Sequence, residues 1–322
     1  MRELLSIVNP ILFVSALIFQ PLLIYVIIFY SPPNLKQLKY VLLNTCFFQI
    51  SHATLAFLTQ FRQVSNLSPI QIWSYGPCRY FDAWICYIMY HGVQTSAMAS
   101  TLSAFFTIYM KYDASQYVIP SKRRIMSVAG LLCTLVLVSV SCEITLIIIQ
   151  SIPAEIREHY KIINEDVTEY ANIGIVDISV LPSAINYVII NTLVLGIPII
   201  ASVLRKKVSS KITPTIDMVS EAKRKQSIIF LNGLTIQVVL PLLLYVPVFM
   251  CQIFTTITKI ELVLQQYLIF VLPDVSTVLD PIISLIFVMP YRRQMMIWLG
   301  LDKTETVAKE VRVQTPSVFV MT

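Results

Sequence analysis

Long stretches without a single charged side chain divide this chain. Four of them are residues 4–35, 40–61, 83–110 and 178–204. A helix crosses a hydrocarbon core of roughly 30 Å with about 20 apolar residues, so each stretch is long enough to span a membrane. Closed barrels also span membranes, but their strands alternate polar and apolar residues, and these runs do not. The pattern therefore predicts several membrane-spanning helices.

The composition agrees with a chain that lies largely in lipid. Hydrophobic residues make up 56% and charged residues 13% of the 322 positions, with a mean hydropathy of +0.73, whereas about a quarter of a soluble protein is charged. We predict an all-α polytopic membrane protein, with one seven-helix bundle over residues 1–300 and a disordered cytoplasmic tail over residues 301–322. The predicted spans are Ile7–Tyr30, Leu38–Gln60, Asp82–Met110, Ile125–Ile149, Ser183–Leu204, Ser227–Cys251 and Leu262–Met289.

Lysine and arginine set the predicted orientation, because these residues are retained on the cytoplasmic side of short loops. With seven spans, 18 of the 24 lysine and arginine residues lie on one side of the membrane. The other side holds six, which are Arg2, Arg62, Arg79, Arg157, Lys161 and Lys259. This excess puts the amino terminus outside and the carboxyl terminus in the cytoplasm. The net charge of +6 is then explained by topology and by anionic lipid, without a nucleic-acid partner.

The predicted outer face carries two features of its own. The loop over residues 150–182 is rich in Asp and Glu and is interpreted as a solvated acidic surface over the bundle. Asn66-Leu67-Ser68 is the only glycosylation sequon on that face. Because Pro69 follows directly and the membrane is near, the sequence does not favour an occupied glycan at Asn66.

The seventh predicted span contains Asp280-Pro281 and ends at Pro290-Tyr291-Arg292-Arg293. A proline in a helix frees a backbone carbonyl and permits a kink. The carboxylate beside it is unfavourable in lipid, so it must face the bundle interior or water. After the arginines, residues 295–299 are apolar enough for a short amphipathic helix along the inner surface.

These motifs resemble the rhodopsin-like seven-helix receptors and, more closely, the nematode serpentine chemoreceptors of class delta. The similarity covers nearly the whole chain to about Gly300. The residues that carry it are Leu42-Leu43-Asn44-Thr45, Phe48-Gln49, Gly76-Pro77-Cys78-Arg79, Tyr90-His91-Gly92, Gln237 with Pro241 and Pro247, Asp280-Pro281 and Pro290-Tyr291-Arg292.

The resemblance implies a chemosensory receptor that binds a small molecule and signals through a heterotrimeric G protein. Its expected location is the plasma membrane of a sensory neuron, at the cilium. Helix three ends in Ile-Tyr-Met-Lys-Tyr instead of Asp-Arg-Tyr, so the charged latch of rhodopsin-like receptors is not expected. Such receptors commonly bridge a cysteine placed like Cys78 to the second outer loop, but that loop has no cysteine here, so a free buried thiol is expected, with Cys142 or Cys251 as the alternative partner.

The candidate ligand-binding residues are polar or aromatic side chains in the outer halves of the predicted spans. Tyr87, His91 and Gln94 recur at helical spacing and share one face of helix three. Pockets for small molecules combine apolar walls with a few polar groups, whereas interhelical hydrogen bonding is the alternative role for the same residues. The full set is Tyr87, His91, Gln94, Asn186, Tyr187, Asn191, Tyr245 and Asp274, with Glu143 as a further buried acid.

Prolines in three helices indicate where a ligand could change the bundle. Pro198, Pro241, Pro247 and Pro281 interrupt helices five, six and seven, and such helices offer bistable elements. A ligand that binds the open form more tightly shifts the equilibrium towards it. Movement of helix six would then expose a cleft for a G protein beside Lys111, Arg205, Lys223 and Arg292.

Other function classes fit the sequence less well. It contains no phosphate-binding loop, nucleophile elbow or zinc-binding pattern, so we expect neither an enzyme nor a bound metal or cofactor. Two alternatives remain, namely a ligand-gated channel subunit of the odorant-receptor kind, which has its amino terminus inside, and a small-molecule transporter.

The orientation can be tested directly with epitope tags at the two termini. We expect an amino-terminal tag to be stained by antibody in unpermeabilised cells and a carboxyl-terminal tag to be stained only after permeabilisation. A carboxyl-terminal tag that is stained in intact cells would contradict the predicted topology and favour the channel class.

Overall fold

The computed structural model describes most of the chain. It describes residues 2–31, 36–63, 70–81, 83–116, 122–149, 171–216, 228–229, 231–233, 235–236, 239–240, 243–258, 260 and 262–301. The sequon asparagine Asn66, the kink residue Pro241, the basic Lys223 and the tail over residues 302–322 lie outside these ranges.

Helices dominate the described part of the chain. They are α1 (Arg2–Tyr30), α2 (Lys36–Thr59), α3 (Ala83–Gln116), α4 (Lys122–Ile149), α5 (Leu181–Ile216), α6 (Val246–Thr258), α7 (Val263–Phe287) and α8 (Met289–Trp298). The described residues between 228 and 244 are helical as well, apart from the undescribed positions among them. The all-α membrane architecture is therefore confirmed.

Five of these helices are apolar and long enough to cross a membrane: α1, α2, α4, α5 and α7. Helix α3 is also long, at 34 residues, but its sequence is more polar, and it packs against α2, α4 and α5 at once. A helix surrounded by protein needs no continuous apolar face for lipid. The count of seven spans and the orientation stay predictions.

Three helices continue beyond their predicted ends, and α6 does so by reaching Thr258 instead of Cys251. Helix α3 reaches Gln116 instead of Met110, and α5 reaches Ile216 instead of Leu204. The predicted loop that begins at Arg205 is therefore helical over its first part. The prediction was wrong here because it ended each helix where the apolar run ends, whereas Lys and Arg are good helix formers that continue a helix into water.

A small antiparallel sheet covers one end of the bundle, and the sequence analysis did not predict it. Its strands are β1 (Phe61–Gln63), β2 (Ile70–Ser74) and β3 (Ala171–Val176), in the order β1-β2-β3. Strand β1 follows α2, β2 precedes α3 and β3 precedes α5. All three therefore lie at the end that the predicted topology places outside.

A disulfide joins Cys78 to Cys86, which corrects the expectation of a free thiol at Cys78. Cys78 lies in the 3-10 turn Pro77–Tyr80 and Cys86 in the first turn of α3. Their Cα atoms are 5.6 Å apart, within the range that a disulfide requires. The bridge fixes the approach of the outer chain to α3. The prediction failed because it searched for a partner in distant loops and spans.

Gly76 allows this turn to approach the end of α2 closely. A Cβ atom at this position would overlap the backbone carbonyl of Leu58. The Gly76 amide instead donates a hydrogen bond to Thr59 O at 3.2 Å. Only glycine permits this contact without a shift of the backbone.

The short helix after α7 is present and is anchored by a buried tyrosine. The Tyr291 side chain is fully buried in a cluster with Leu23, Val26 and Leu285, and its hydroxyl lies 2.8 Å from Ser31 Oγ. Burial raises the pKa of Tyr291, and the Ser31 hydrogen bond opposes this only in part. The phenol therefore stays neutral and holds α8 against α1.

A chain of buried amides and one acid joins α1, α2 and α7. Gln20 Nε2 donates to Gln49 Oε1 at 2.6 Å and to Thr277 O at 2.7 Å. Gln49 Nε2 donates to Asp280 Oδ2 at 2.5 Å. Gln49 thus links the two other side chains, and Asp280 faces the bundle interior as its lipid-depth position requires.

Replacing Gln49 with leucine should destabilise the bundle. The change keeps the volume but leaves Gln20 and Asp280 without their shared partner, which costs about 2 kcal/mol for buried polar groups. Unfolding by SDS in mixed micelles measures the free energy. Ser51→Ala is the matched control on the same helix, because the Ser51 hydroxyl donates to Phe47 O within α2. Equal stability of the two variants would contradict the role of Gln49.

Candidate ligand-binding cavity

A cavity of about 200 Å³ lies between α3, α5, α6 and α7, towards the sheet end of the bundle. Gln63 of β1 and His52 of α2 also contribute to its wall. Most of the wall is apolar, including Met98, Leu146 and Phe270. Enclosed apolar cavities with a few polar groups are typical of small-molecule sites.

Six of the eight predicted ligand-binding residues line this one cavity: His91, Gln94, Asn186, Tyr187, Asn191 and Tyr245. They come from three different helices. Helical spacing alone placed His91 and Gln94 on one face, but only the packing of α3 against α5 brings Asn186 and Asn191 opposite them.

The other two predicted residues, Tyr87 and Asp274, do not line the cavity. Tyr87 is 1% exposed and packs with Cys78, Cys86 and Val93 in the core below the sheet. Its ring contacts the His91 ring edge-on, with centroids 4.7 Å apart. Tyr87 therefore orients His91 from behind the wall.

Asp274 is paired with a histidine that the prediction left out of the site. His52 Nε2 lies 3.0 Å from Asp274 Oδ1, and both side chains are buried. His52 Nδ1 lies 3.2 Å from Val93 O. The pair joins α2 to α7 and touches α3, and the Asp274 carboxyl faces His52 instead of the cavity. The sequence shows that His52 and Asp274 are ionisable residues at lipid depth. It does not show that they lie close together.

Glu143 is likewise occupied by neighbours and does not line the cavity. Its Oε2 atom accepts a short hydrogen bond from Thr95 of α3. One turn earlier in α4, Ser139 Oγ donates to Asn186 Oδ1 at 2.5 Å. These contacts join α4 to α3 and α5, so Glu143 has a structural role in the described bundle.

His91 differs from these polar residues because its ring nitrogens make no hydrogen bond to the described residues. It is 3% exposed. The rings of Tyr87 and Tyr90 hold it edge-on at 4.7 and 5.2 Å. Buried polar groups nearly always have a partner, so His91 is an exception that calls for an explanation.

The sequence model of the family described as "Serpentine type 7TM GPCR chemoreceptor Srd" matches residues 5–297. The chain belongs to the Srd chemoreceptor family. Similar relatives from Caenorhabditis elegans include serpentine receptor class delta-44, which is 46% identical over 99% of this chain and 98% of its own length. Serpentine receptor class delta-40 is 38% identical over 95% of this chain and 96% of its own, and delta-47 is 37% identical over 94% and 95%.

Membership of the Srd family confirms the resemblance and the chemoreceptor class. The family is a class of receptors and not of enzymes. Within the part of the chain that the structure describes, no group of three or more His, Cys, Asp or Glu side chains is arranged to hold a metal.

In this Srd chain, the sheet closes over the cavity and is tied to α7 by one arginine. Arg62 of β1 donates to Gln266 Oε1 at 3.1 Å and to the Tyr75 hydroxyl at 3.1 Å. Its guanidinium also lies over the Tyr267 ring, 4.5 Å from the centroid. The neighbouring Gln63 faces the cavity, so the Arg62 contacts fix one wall of the site. Sequence analysis counted Arg62 only as a topology signal.

At the opposite end, the basic residues predicted to face a G protein are partly engaged within the Srd bundle. Arg205 Nε donates to Thr235 Oγ1 at 3.1 Å and thereby joins α5 to the residues before α6. Lys111 and Arg292 are half-buried at the ends of α3 and α8. Arg124 Nε lies 3.2 Å from the buried Asp113, so an α3–α4 ion pair occurs near the position where the rhodopsin-like latch is absent.

The predicted kink prolines differ in their surroundings. Pro198 and Pro281 lie within the continuous helices α5 and α7. Pro247 is the second residue of α6, and the helix is interrupted by a turn at Tyr245 directly before it. Tyr245 lines the cavity, and its hydroxyl lies 2.8 Å from Ser276 Oγ of α7. A cavity residue thus occupies the interruption between the two parts of the sixth helix.

The pairing of His52 with Asp274 can be tested by a double-mutant cycle. His52→Leu leaves a buried acid without its partner, which should lower the free energy of unfolding by about 3 kcal/mol. Adding Asp274→Leu should restore much of that loss, because no unpaired ionisable group remains. SDS unfolding in mixed micelles provides the values. Additive losses in the double variant would contradict the pair.

Proposed function

We propose that this Srd chain is a chemosensory receptor that binds a small molecule in the cavity between α3, α5, α6 and α7. The observation that carries the proposal is the convergence of six polar or aromatic side chains, from α3, α5 and the turn before α6, on one mostly apolar space. Interhelical hydrogen bonding explains Glu143 and Asp274, but it leaves His91 without a partner among the described residues.

The proposed signal passes from Tyr245 through helix six to a heterotrimeric G protein. Tyr245 contacts both the cavity and α7, and it lies at the turn that precedes Pro247. A ligand that binds one arrangement of this turn more tightly shifts the bundle towards that arrangement. The helical residues before Tyr245 would then move against α7 and open a cleft beside Lys111, Arg205, Lys223 and Arg292.

The proposed setting is the plasma membrane of a sensory neuron, at its cilium, with membrane lipids around the bundle. The apolar helices support a membrane location, and family membership supports the chemosensory role over a channel or a transporter. The G-protein partner is proposed by analogy with seven-helix receptors.

A close contact between the sixth and seventh helices provides a test that needs no ligand. A Cβ atom at Gly233 would lie 2.5 Å from Phe287 Cβ and 2.9 Å from Phe287 Cγ. Because both atoms sit near the helix backbones, Gly233→Ala should push the two helices apart. We expect basal G-protein activation to rise severalfold in ligand-free cells, measured as dissociation of a luminescent G-protein heterotrimer.

The matched control is Gly196→Ala in α5, where an added Cβ meets no atom within 4 Å. Both substitutions remove a helical glycine, so they change backbone entropy alike. Basal activation at Gly233→Ala no higher than that of the control, at equal surface expression, would contradict the proposed helix movement.

A further inference from the structure

We infer that the cavity selects a neutral, mostly apolar organic molecule with one hydroxyl or carbonyl group, and that it rejects ammonium and carboxylate ligands. This inference rests on the proposed receptor function and adds the chemical class of the ligand. Its physical basis is the absence of charge on the cavity wall together with the unsatisfied hydrogen-bonding groups of His91 and Asn191.

No Asp, Glu, Lys or Arg lines the cavity among the residues that the structure describes. The nearest acids are engaged elsewhere. Asp274 faces His52 at 3.0 Å and does not line the cavity. Glu143 accepts from Thr95 and lies outside the wall.

An ionic ligand in this space would lose its hydration without gaining a counter-ion. Burial of an unpaired charge is strongly unfavourable, and polar side chains replace water only in part. An apolar ligand body instead gains from contact with Met98, Leu146 and Phe270 through burial of apolar surface. The cavity wall therefore selects ligands first by their charge and only then by their shape.

The polar group of the ligand is specified by unpaired hydrogen-bonding atoms on the cavity wall, which belong to His91, to Asn191 and, at its Nε2 donor, to Gln63. Neutral His91 offers one N–H donor and one nitrogen acceptor, and both nitrogens lack a partner within the described residues. Asn191 donates from Nδ2 to Tyr187 O at 2.7 Å. Its Oδ1 acceptor has no hydrogen-bond partner within the described residues. A ligand carbonyl can accept from His91, and a ligand hydroxyl can also donate to either residue.

His91 is buried, and none of the described carboxylates pairs with it to balance a positive charge on the ring. The groups that face it are the phenol rings of Tyr87 and Tyr90, and neither supplies a negative charge. A carboxylate ligand therefore finds no cation at His91 to pair with it. Anionic ligands are therefore excluded for the same reason as cationic ligands, namely the lack of a counter-ion in the cavity.

The test compares molecules that share one carbon skeleton and differ in the end group. The probes are octanol, octanal, octylamine, octanoate and octane, with the hexyl and decyl series added to cover length. Binding to the purified full-length receptor in nanodiscs is read by saturation-transfer NMR, and activation by G-protein dissociation in cells. We expect the alcohol or the aldehyde to bind at least tenfold more tightly than the amine and the acid in at least one series.

Two substitutions assign the polar contact. His91→Phe keeps the ring contacts but removes both nitrogens, and it should weaken the alcohol or aldehyde about tenfold, the value of one hydrogen bond to a buried group. Octane should bind His91→Phe as it binds the unmodified chain. Asn191→Asp places an acid on the wall without changing its shape and should shift selection towards octylamine. Ser141→Ala is the control, because this exposed α4 hydroxyl donates to Leu137 O of its own helix.

The outcomes separate the ligand class from the receptor function. Tightest binding by octylamine or octanoate, or no binding by any neutral oxygen-containing member, would overturn the ligand class. An effect of His91→Phe on octane as large as on octanol would overturn the role of His91. The proposed receptor function is judged separately by the basal activity of Gly233→Ala, which requires no ligand.

Discussion

Every polar side chain inside this bundle must find its partner within the protein, because lipid offers none. The chain meets this constraint with a small number of buried contacts between distant helices. Gln20, Gln49 and Asp280 join α1, α2 and α7, and His52 with Asp274 joins α2 to α7 one level closer to the sheet. Farther round the bundle, Thr95 with Glu143 joins α3 to α4. These contacts specify which helices pack together, whereas apolar packing alone would allow several arrangements.

Within the described residues, several buried polar atoms lack a hydrogen-bond partner, and those of Gln63, His91 and Asn191 lie on the cavity wall. His91 is held in position by two aromatic rings, yet its nitrogens have no protein partner there. Asp274 and Glu143 are each held by another residue. Hydrogen-bonding positions that are already held in place suit recognition, because fewer side chains have to be ordered when a ligand binds.

The two ends of the bundle are built differently. At the sheet end, the Cys78–Cys86 bridge, Gly76 and the Arg62 contacts fix the covering segments against α2, α3 and α7. At the other end, Gly233 packs closely against Phe287 of α7. Between the two ends, the sixth helix is interrupted at the cavity residue Tyr245, and the proposed ligand-driven shift of helix six depends on this interruption.

The sequence by itself determined the membrane class, the helical architecture, the family and six of the polar residues of the cavity. Those features follow from local properties, namely charge-free runs, helical spacing and short motifs that need no knowledge of packing. The tertiary structure alone decided the partners: His52 for Asp274, Gln49 for Asp280 and Cys86 for Cys78. It also decided that α5 continues to Ile216 and that outer segments form a sheet. Partner choice depends on which helix faces meet in space, and one helical period gives a face but not its neighbour.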